Sequence, residues 1–249
     1  MLFSPEPTKR AAPTEKASHT GTSYKTALSI LLWESRSSAR WASLLTYVLN
    51  PFITSPLFLG LALAHLGAPP EEIVRVTALA FILFTLIPLL YLVYLVKKGH
   101  AQTLEVRNRK QRIRPFLFGL GIHILGIAWL SQYIQTAHPF FVGILFIQAL
   151  NLFLILLITL WWKISIHLVS FASLISSLFF IYTHPWPPAD TPTDFTLPVF
   201  IYGLIPFLFL LAWARVRLSA HTWTQVIGGM LFGLIVPYIE LTLLYHYLK

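Results

Sequence analysis

The sequence predicts an all-α, polytopic membrane helical bundle of about seven spans. Three observations carry that expectation. Hydrophobic residues make up 56 % of the 249 residues and charged residues only 11 %, where soluble domains run nearer a quarter charged. The mean hydropathy is +0.70. The apolar residues gather into runs near the roughly 20 residues that a helical span requires. A water-soluble fold of this length has too few polar groups here to cover its surface, whereas lipid around the bundle removes that need.

Taken in order, residues 1–24 are rich in Pro, Thr, Ser and Lys and lack apolar periodicity, which predicts a disordered basic tail. No apolar segment with a cleavage site follows in the manner of a signal peptide. The stretch 26–33 is too short to span and runs into ESRSSAR, so 25–40 reads as an interfacial helix and linker. The region 41–249 reads as a single transmembrane domain. Its spans are expected at about 42–66, 74–96, 115–134, 140–162, 165–183, 196–213 and 223–246. Pro51 and Pro56 fall inside the first and predict a kink.

The connections alternate in character. Those near 67–72, 135–139 and 184–194 hold no Lys or Arg. Those at 97–114, around Lys163 and around Arg215 and Arg217 are basic, as is the tail. The positive-inside rule places the tail and the basic connections in the cytoplasm. Two spans separate each basic connection from the next, so parity brings all three to one membrane face. The net charge of +9 then reflects loops beside anionic headgroups rather than nucleic-acid binding. Trp41, Trp161, Trp162, Trp186, Trp213 and Trp223 fall near span ends and read as an interfacial belt.

The absence of cysteine excludes disulfides, thiolate catalysis and Cys-based metal sites. The nine His residues show no HxxxH or HExxH spacing, so neither a metal nor a cofactor is expected. His123 reads as a helix–helix hydrogen bond. Glu240, inside the seventh span, reads as the partner of a cation, a mark of a polar path or a group near the headgroups.

Three clusters on the basic face could carry chemistry: Arg107 with Arg114-Pro115, Ser165 with His167, and Arg215 with His221 and Gln225. Arginine forks match phosphate oxygens, and Lys163 and Arg217 add charge. Ser165 sits where a helix N-cap belongs, which makes an anion site. His221 and Gln225 are four apart and share one helix face, so the Gln oxygen can orient the imidazole. Two His residues beside a bound phosphate supply a nucleophile and an acid.

This order and spacing resembles the type 2 phosphatidic acid phosphatase superfamily, the lipid phosphate phosphatases. Its signature is Lys, six residues, Arg-Pro; then Pro-Ser-Gly-His; then Ser-Arg, five residues, His, three residues, Asp. Arg107 stands for the Lys, Arg114-Pro115, Ser165, His167, Arg215 and His221 match, and the spacing within each motif is kept. The matched region, 107–225, is about half the chain. The departures are Arg107 itself, Ile164 and Ile166 in place of Pro and Gly, Ala214 in place of Ser, and Gln225 in place of Asp. The resemblance implies the helical core shared with haloperoxidases and metal-independent hydrolysis of a phosphatidate-like or polyprenyl phosphate or diphosphate. His221 would be the nucleophile, forming a phosphohistidine, and His167 the acid. Gln225 would orient His221, while Arg107, Arg114, Ser165 and Arg215 hold the phosphate and Lys163 supports them.

A second reading is a relative that binds lipid phosphate or scaffolds without turnover, supported by Gln225 and Ile166. A third, a transporter or channel subunit, rests on polytopic composition and Glu240. The partners expected are the bilayer and a lipid phosphate; the oligomeric state stays open.

Overall fold

The computed structural model describes residues 37–106, 108–135, 138–184 and 196–249, with residues 138 and 196–199 described by their backbone alone. The expected tail, most of the interfacial segment, Arg107 and the 185–195 connection lie outside the described residues. Trp41–Lys249 forms one compact unit, and among the described residues there is no strand.

Among the described residues, a helix Ser37–Val48 precedes seven others: α1 Pro51–His65, α2 Pro70–Lys97, α3 Arg109–Tyr133, α4 His138–Trp161, α5 Ile166–Thr183, α6 Thr196–Arg217 and α7 Trp223–Leu248. Among the described residues six helices are long and apolar enough to cross a membrane. A seventh span arises when Ser37–Val48 and α1, bent by 43°, count as one. The protein is a multi-pass membrane bundle. Its exposed large side chains, such as Leu125, Phe209, Leu243 and Trp161, face outward, where lipid replaces water.

The kink expected in the first span is a break at Asn50-Pro51. Proline has no N–H and its ring clashes with a preceding turn. The chain therefore restarts, with Pro51 in the first turn and the Asn50 side chain accepting from the Phe52 N–H at 2.9 Å. Pro56 stays inside α1. Its missing N–H leaves the Phe52 carbonyl, four residues earlier, without its helical donor, and the Thr85 hydroxyl donates to that carbonyl instead. Thr85 lies in a π-helical turn of α2, Ile82–Leu86. In lipid an orphaned carbonyl has no water to turn to, so a neighbouring helix supplies the donor.

Several helices outrun their apolar windows. Pro70, Glu71 and Glu72 form the first turn of α2, where Pro and acidic side chains suit a helix start. A 3₁₀ turn, Arg109–Arg112, opens α3, with the Asn108 side chain accepting from the Lys110 N–H at 3.1 Å. The α6 helix continues to Arg217.

The most extensive helix contact joins α5 and α7. Gly229 and Gly233 allow it. A Cβ at Gly229 would lie 2.8 Å from the Ser165 carbonyl, and one at Gly233 would collide with the Val169 carbonyl. Small residues at this spacing let two backbones approach where apolar burial gives no net drive in lipid. The buried residues of α5, among them Leu168, Phe171, Leu178 and Phe180, form the centre of the core.

Candidate functional site

The close contact between α5 and α7 fixes the first half of the site. The Ser165 N–H donates to the Gln225 carbonyl at 3.3 Å, which ties the start of α5 to the start of α7. The α6–α7 turn then sets the spacing of Arg215 and His221. Ser219 takes a left-handed φ of 52°. Its N–H donates to the Val216 carbonyl, and the Ala220 N–H donates to the Arg215 carbonyl. This is the paired bonding of a Schellman helix end. It folds the chain back so that the His221 N–H also reaches the Arg215 carbonyl, at 3.3 Å. Thr222 then caps α7 in a capping box with Gln225.

Gln225 therefore does two things. Its Oε1 accepts from the Thr222 N–H at 3.4 Å and from His221 Nδ1–H at 3.0 Å. Since that oxygen accepts, Nδ1 holds the proton and Nε2 keeps its lone pair. His221 is buried, and its pKa is lowered from 6.5 to about 3. Burial is the largest cause, followed by Arg112, Arg215 and Lys163, while the bond to Gln225 opposes the shift. The imidazole is thus neutral at pH 7, its nucleophilic nitrogen free and its orientation set.

Arg112 is the arginine that enters the site with Arg215. It is 4 % exposed. Its Nε donates to the Val106 carbonyl at 2.8 Å and its Nη1 to the Ile164 carbonyl at 3.1 Å. Arg114, expected in this role, is exposed on the outer side of α3 and does not line the cavity. The reason is helical phase: two residues turn a helix by about 200°, so Arg112 and Arg114 point to opposite sides. Arg107 lies outside the described residues.

The other expected residues take these positions. Arg215 is 2 % exposed and pairs with Glu105, Nη1 to Oε1 at 3.5 Å. His167, at the start of α5, lies in the field of Arg215, His221 and Arg112. Ser165 is the N-cap of α5, fully buried, yet its side chain makes no cap bond and its hydroxyl has no hydrogen-bond partner. Lys163 Nζ donates to the Ala220 carbonyl at 2.8 Å, bracing the α6–α7 turn. Ile166 lines the cavity beside His167 and packs against the apolar cluster of Ile155, Ile164 and Val169. Two residues at the site carried no signal in the motif spacing: Arg112 and Glu105. The cue for Arg112 was Asn108, a cap residue immediately before a basic turn.

Arg112, His167, Arg215 and His221 line one end of a cavity of about 1190 Å³. Along α5 the lining continues from His167 to Ser177, ten residues or about 15 Å into the bundle. Its walls are mostly apolar, with a polar seam in which the Ser55 hydroxyl donates to Gln148 Oε1 at 2.9 Å and Thr54 bonds Ser170. On the same helix as Gln148, Asn151 Nδ2 donates to Glu240 Oε2 at 2.6 Å. Glu240 is thus paired with an amide rather than with a cation. The His123 ring bonds its own helix, at the Gly119 carbonyl, and stacks on Phe84 of α2, in place of the hydrogen bond between helices expected of it. Among the described residues no three His, Asp or Glu side chains gather as a metal-ligand set.

No protein-family model, curated protein or solved structure matches this chain.

Proposed function

We propose that the protein is a membrane-embedded lipid phosphatase of the type 2 phosphatidic acid phosphatase kind. The observation that carries this reading is one constellation. Two buried guanidiniums and two imidazoles meet at the mouth of a largely apolar intramembrane cavity, with His221 Nε2 left free by the bond to Gln225. The buried, unpartnered Ser165 hydroxyl fits the same reading, since a bound phosphate oxygen gives it a partner. The cavity exceeds most small-molecule pockets in volume and suits a lipid tail below a phosphate.

In this account Arg112 and Arg215 clamp the phosphate oxygens and stabilise the charge of the transition state. His221 Nε2 attacks phosphorus, and the bond from phosphorus to the lipid oxygen breaks. That oxygen takes a proton from His167, leaving a phosphohistidine. Water then gives a proton to His167 and attacks phosphorus, the P–N bond breaks, and phosphate leaves. Gln225 fixes the ring but brings no negative charge to the imidazolium side of the reaction, so turnover is expected to be slow beside a carboxylate-supported site.

That neutral Gln225 also favours a second reading, a protein that binds lipid phosphate without turning it over. Phosphate release from a panel of phosphatidate, lysophosphatidate, sphingoid-base phosphate and polyprenyl diphosphate separates the two. The phosphatase reading expects release that His221→Ala abolishes. Tight binding of the same lipids with no release supports the second. We place the site on the cytoplasmic side from the basic connections. A single cysteine introduced at 184–194 of this cysteine-free chain tests that: labelling by an impermeant thiol reagent in intact cells agrees, and labelling only after lysis reverses it.

A further inference from the structure

Glu105 is the carboxylate of the site, and it is held there by construction. It lies in the connection between α2 and α3, lines the same cavity as His167 and His221, and pairs with Arg215. The next residue, Val106, has a φ of 42°, a conformation that a β-branched residue adopts only where the surroundings impose it. Two contacts impose it. The Val106 side chain packs into a small apolar cluster with Leu92, Leu95 and Ala101. Its carbonyl accepts from Arg112 Nε at 2.8 Å. The strained backbone thus presents Glu105 to Arg215, while the carboxylate stays 28 % exposed.

A site of this kind faces a selectivity problem set by its location. The bilayer around it presents phosphodiester headgroups at high local concentration, and each carries one negative charge on phosphate. Bare guanidiniums at headgroup level attract them all. A tethered carboxylate on Arg215 alters the competition, because it acts at the effective concentration of its tether. A diester that displaces Glu105 exchanges one negative charge for one. A phosphomonoester dianion or a diphosphate brings at least one charge more, and it gains that surplus between two buried guanidiniums where charge is weakly screened.

We propose that Glu105 is a specificity-determining residue: it holds Arg215 against the monoanionic phosphodiesters of the surrounding bilayer and yields it to a dianionic phosphomonoester or a diphosphate. The proposal rests on the phosphate reading of the site. It adds that Arg112, anchored on two backbone carbonyls, is the fixed half of the clamp, and Arg215 the half whose partner is exchanged.

The test uses the full-length protein purified in a phospholipid-free detergent and two soluble probes. These are phenylphosphonate as its dianion and monomethyl phenylphosphonate as a monoanion, titrated calorimetrically. The wild type is expected to bind the dianion at least about tenfold tighter than the monoanion. Glu105→Gln is expected to tighten the monoanion about tenfold and bring the two affinities within about threefold. Glu105→Asp, which keeps the charge, is expected to retain a preference for the dianion. A Glu105→Gln protein that keeps the wild-type ratio, or weakens toward both probes, overturns the proposal, because Glu105 would then only orient Arg215. A wild type that binds both probes equally also overturns it while leaving the anion site standing. Binding of neither probe by either folded protein removes the phosphate reading itself.

Discussion

The bundle holds two buried polar centres, and they are built differently. At the membrane end, Arg112, Arg215, His167 and His221 come from helix starts, helix ends and a turn, and backbone carbonyls of the connections between helices anchor Arg112 and Lys163. In the interior, Asn151 and Glu240 come from the middle of α4 and the later half of α7, and the Asn151 amide donates to the carboxylate at 2.6 Å. The first centre places His221, with its Nε2 lone pair unused, on the wall of a cavity. The second closes an acceptor onto a donor and clasps two helices. In a membrane, charge alone does not mark a site; here the two centres differ in that the first gathers several cations and imidazoles on one cavity wall, while the second pairs one amide with one carboxylate.

That contrast can be broken by mutation. The largest expected effect separates two arginines two residues apart. Arg112→Leu is expected to lower kcat/KM for lipid phosphate about 10²- to 10³-fold, as loss of a transition-state clamp does. Arg114→Ala is expected to stay within about twofold. Equal losses at both positions would return the clamp to Arg114.

Gln225 sharpens the account from the other side. Gln225→Glu keeps the length that spans 3.0 Å to His221 and the N3 position of the capping box while adding the missing charge. It is expected to raise kcat about tenfold or more, and Gln225→Leu to lower it by a similar factor. A charged variant no faster than wild type would show that the neutral amide already supplies what the reaction needs.

The interior clasp should matter to stability and not to chemistry. Glu240→Leu is expected to destabilise the bundle by about 1–2 kcal/mol, because it removes the bond that joins α4 to α7 and leaves the Asn151 amide only the Ile147 carbonyl of its own helix. Asn151→Leu combined with Glu240→Leu is expected to recover most of that, and both proteins should keep hydrolysis within about twofold. Thermal unfolding in detergent beside a phosphate-release assay reads both. A tenfold loss of activity in the stable double variant would make the clasp part of the site.

The smallest effect concerns pH. His221 has a folded pKa of about 3 against 6.5 unfolded, so the unfolded chain binds more protons between those values. Stability is therefore unaffected by this group above pH 6.5 and falls as pH drops below it, by up to about 1.4 kcal/mol per unit. The drop in unfolding temperature from pH 7 to pH 5 should be smaller in His221→Gln than in wild type. Identical slopes would mean that His221 is not held neutral by its surroundings.

Much of this was legible in the sequence, for identifiable reasons. Apolar run length located the spans, and span parity brought the basic connections to one end. The His221–Gln225 bond was expected from i to i+4 spacing on one helix face; it forms, but with His221 in the turn before the Thr222 N-cap, where Gln225 at N3 of α7 reaches back to it. What was not legible depended on phase and on tertiary approach. Arg112 and Arg114 differ only by where α3 begins, which Asn108 decides by capping a 3₁₀ turn. Glu105 reaches Arg215 through a loop whose strained Val106 no local pattern announces. The break at Asn50 read as a kink, because proline position predicts disruption and not its angle. The α5–α7 contact was written in Gly229 and Gly233, a four-residue spacing of small residues that apolar run length does not reveal.

The central claim is that His221 carries the phosphoryl group. Brief incubation of the full-length protein with a lipid phosphate labelled in its phosphorus, followed by an alkaline quench and peptide mapping, tests it directly. The account predicts an acid-labile, base-stable label on His221 that His221→Ala and Arg215→Ala both lose. Hydrolysis proceeding with no label on His221 would contradict it.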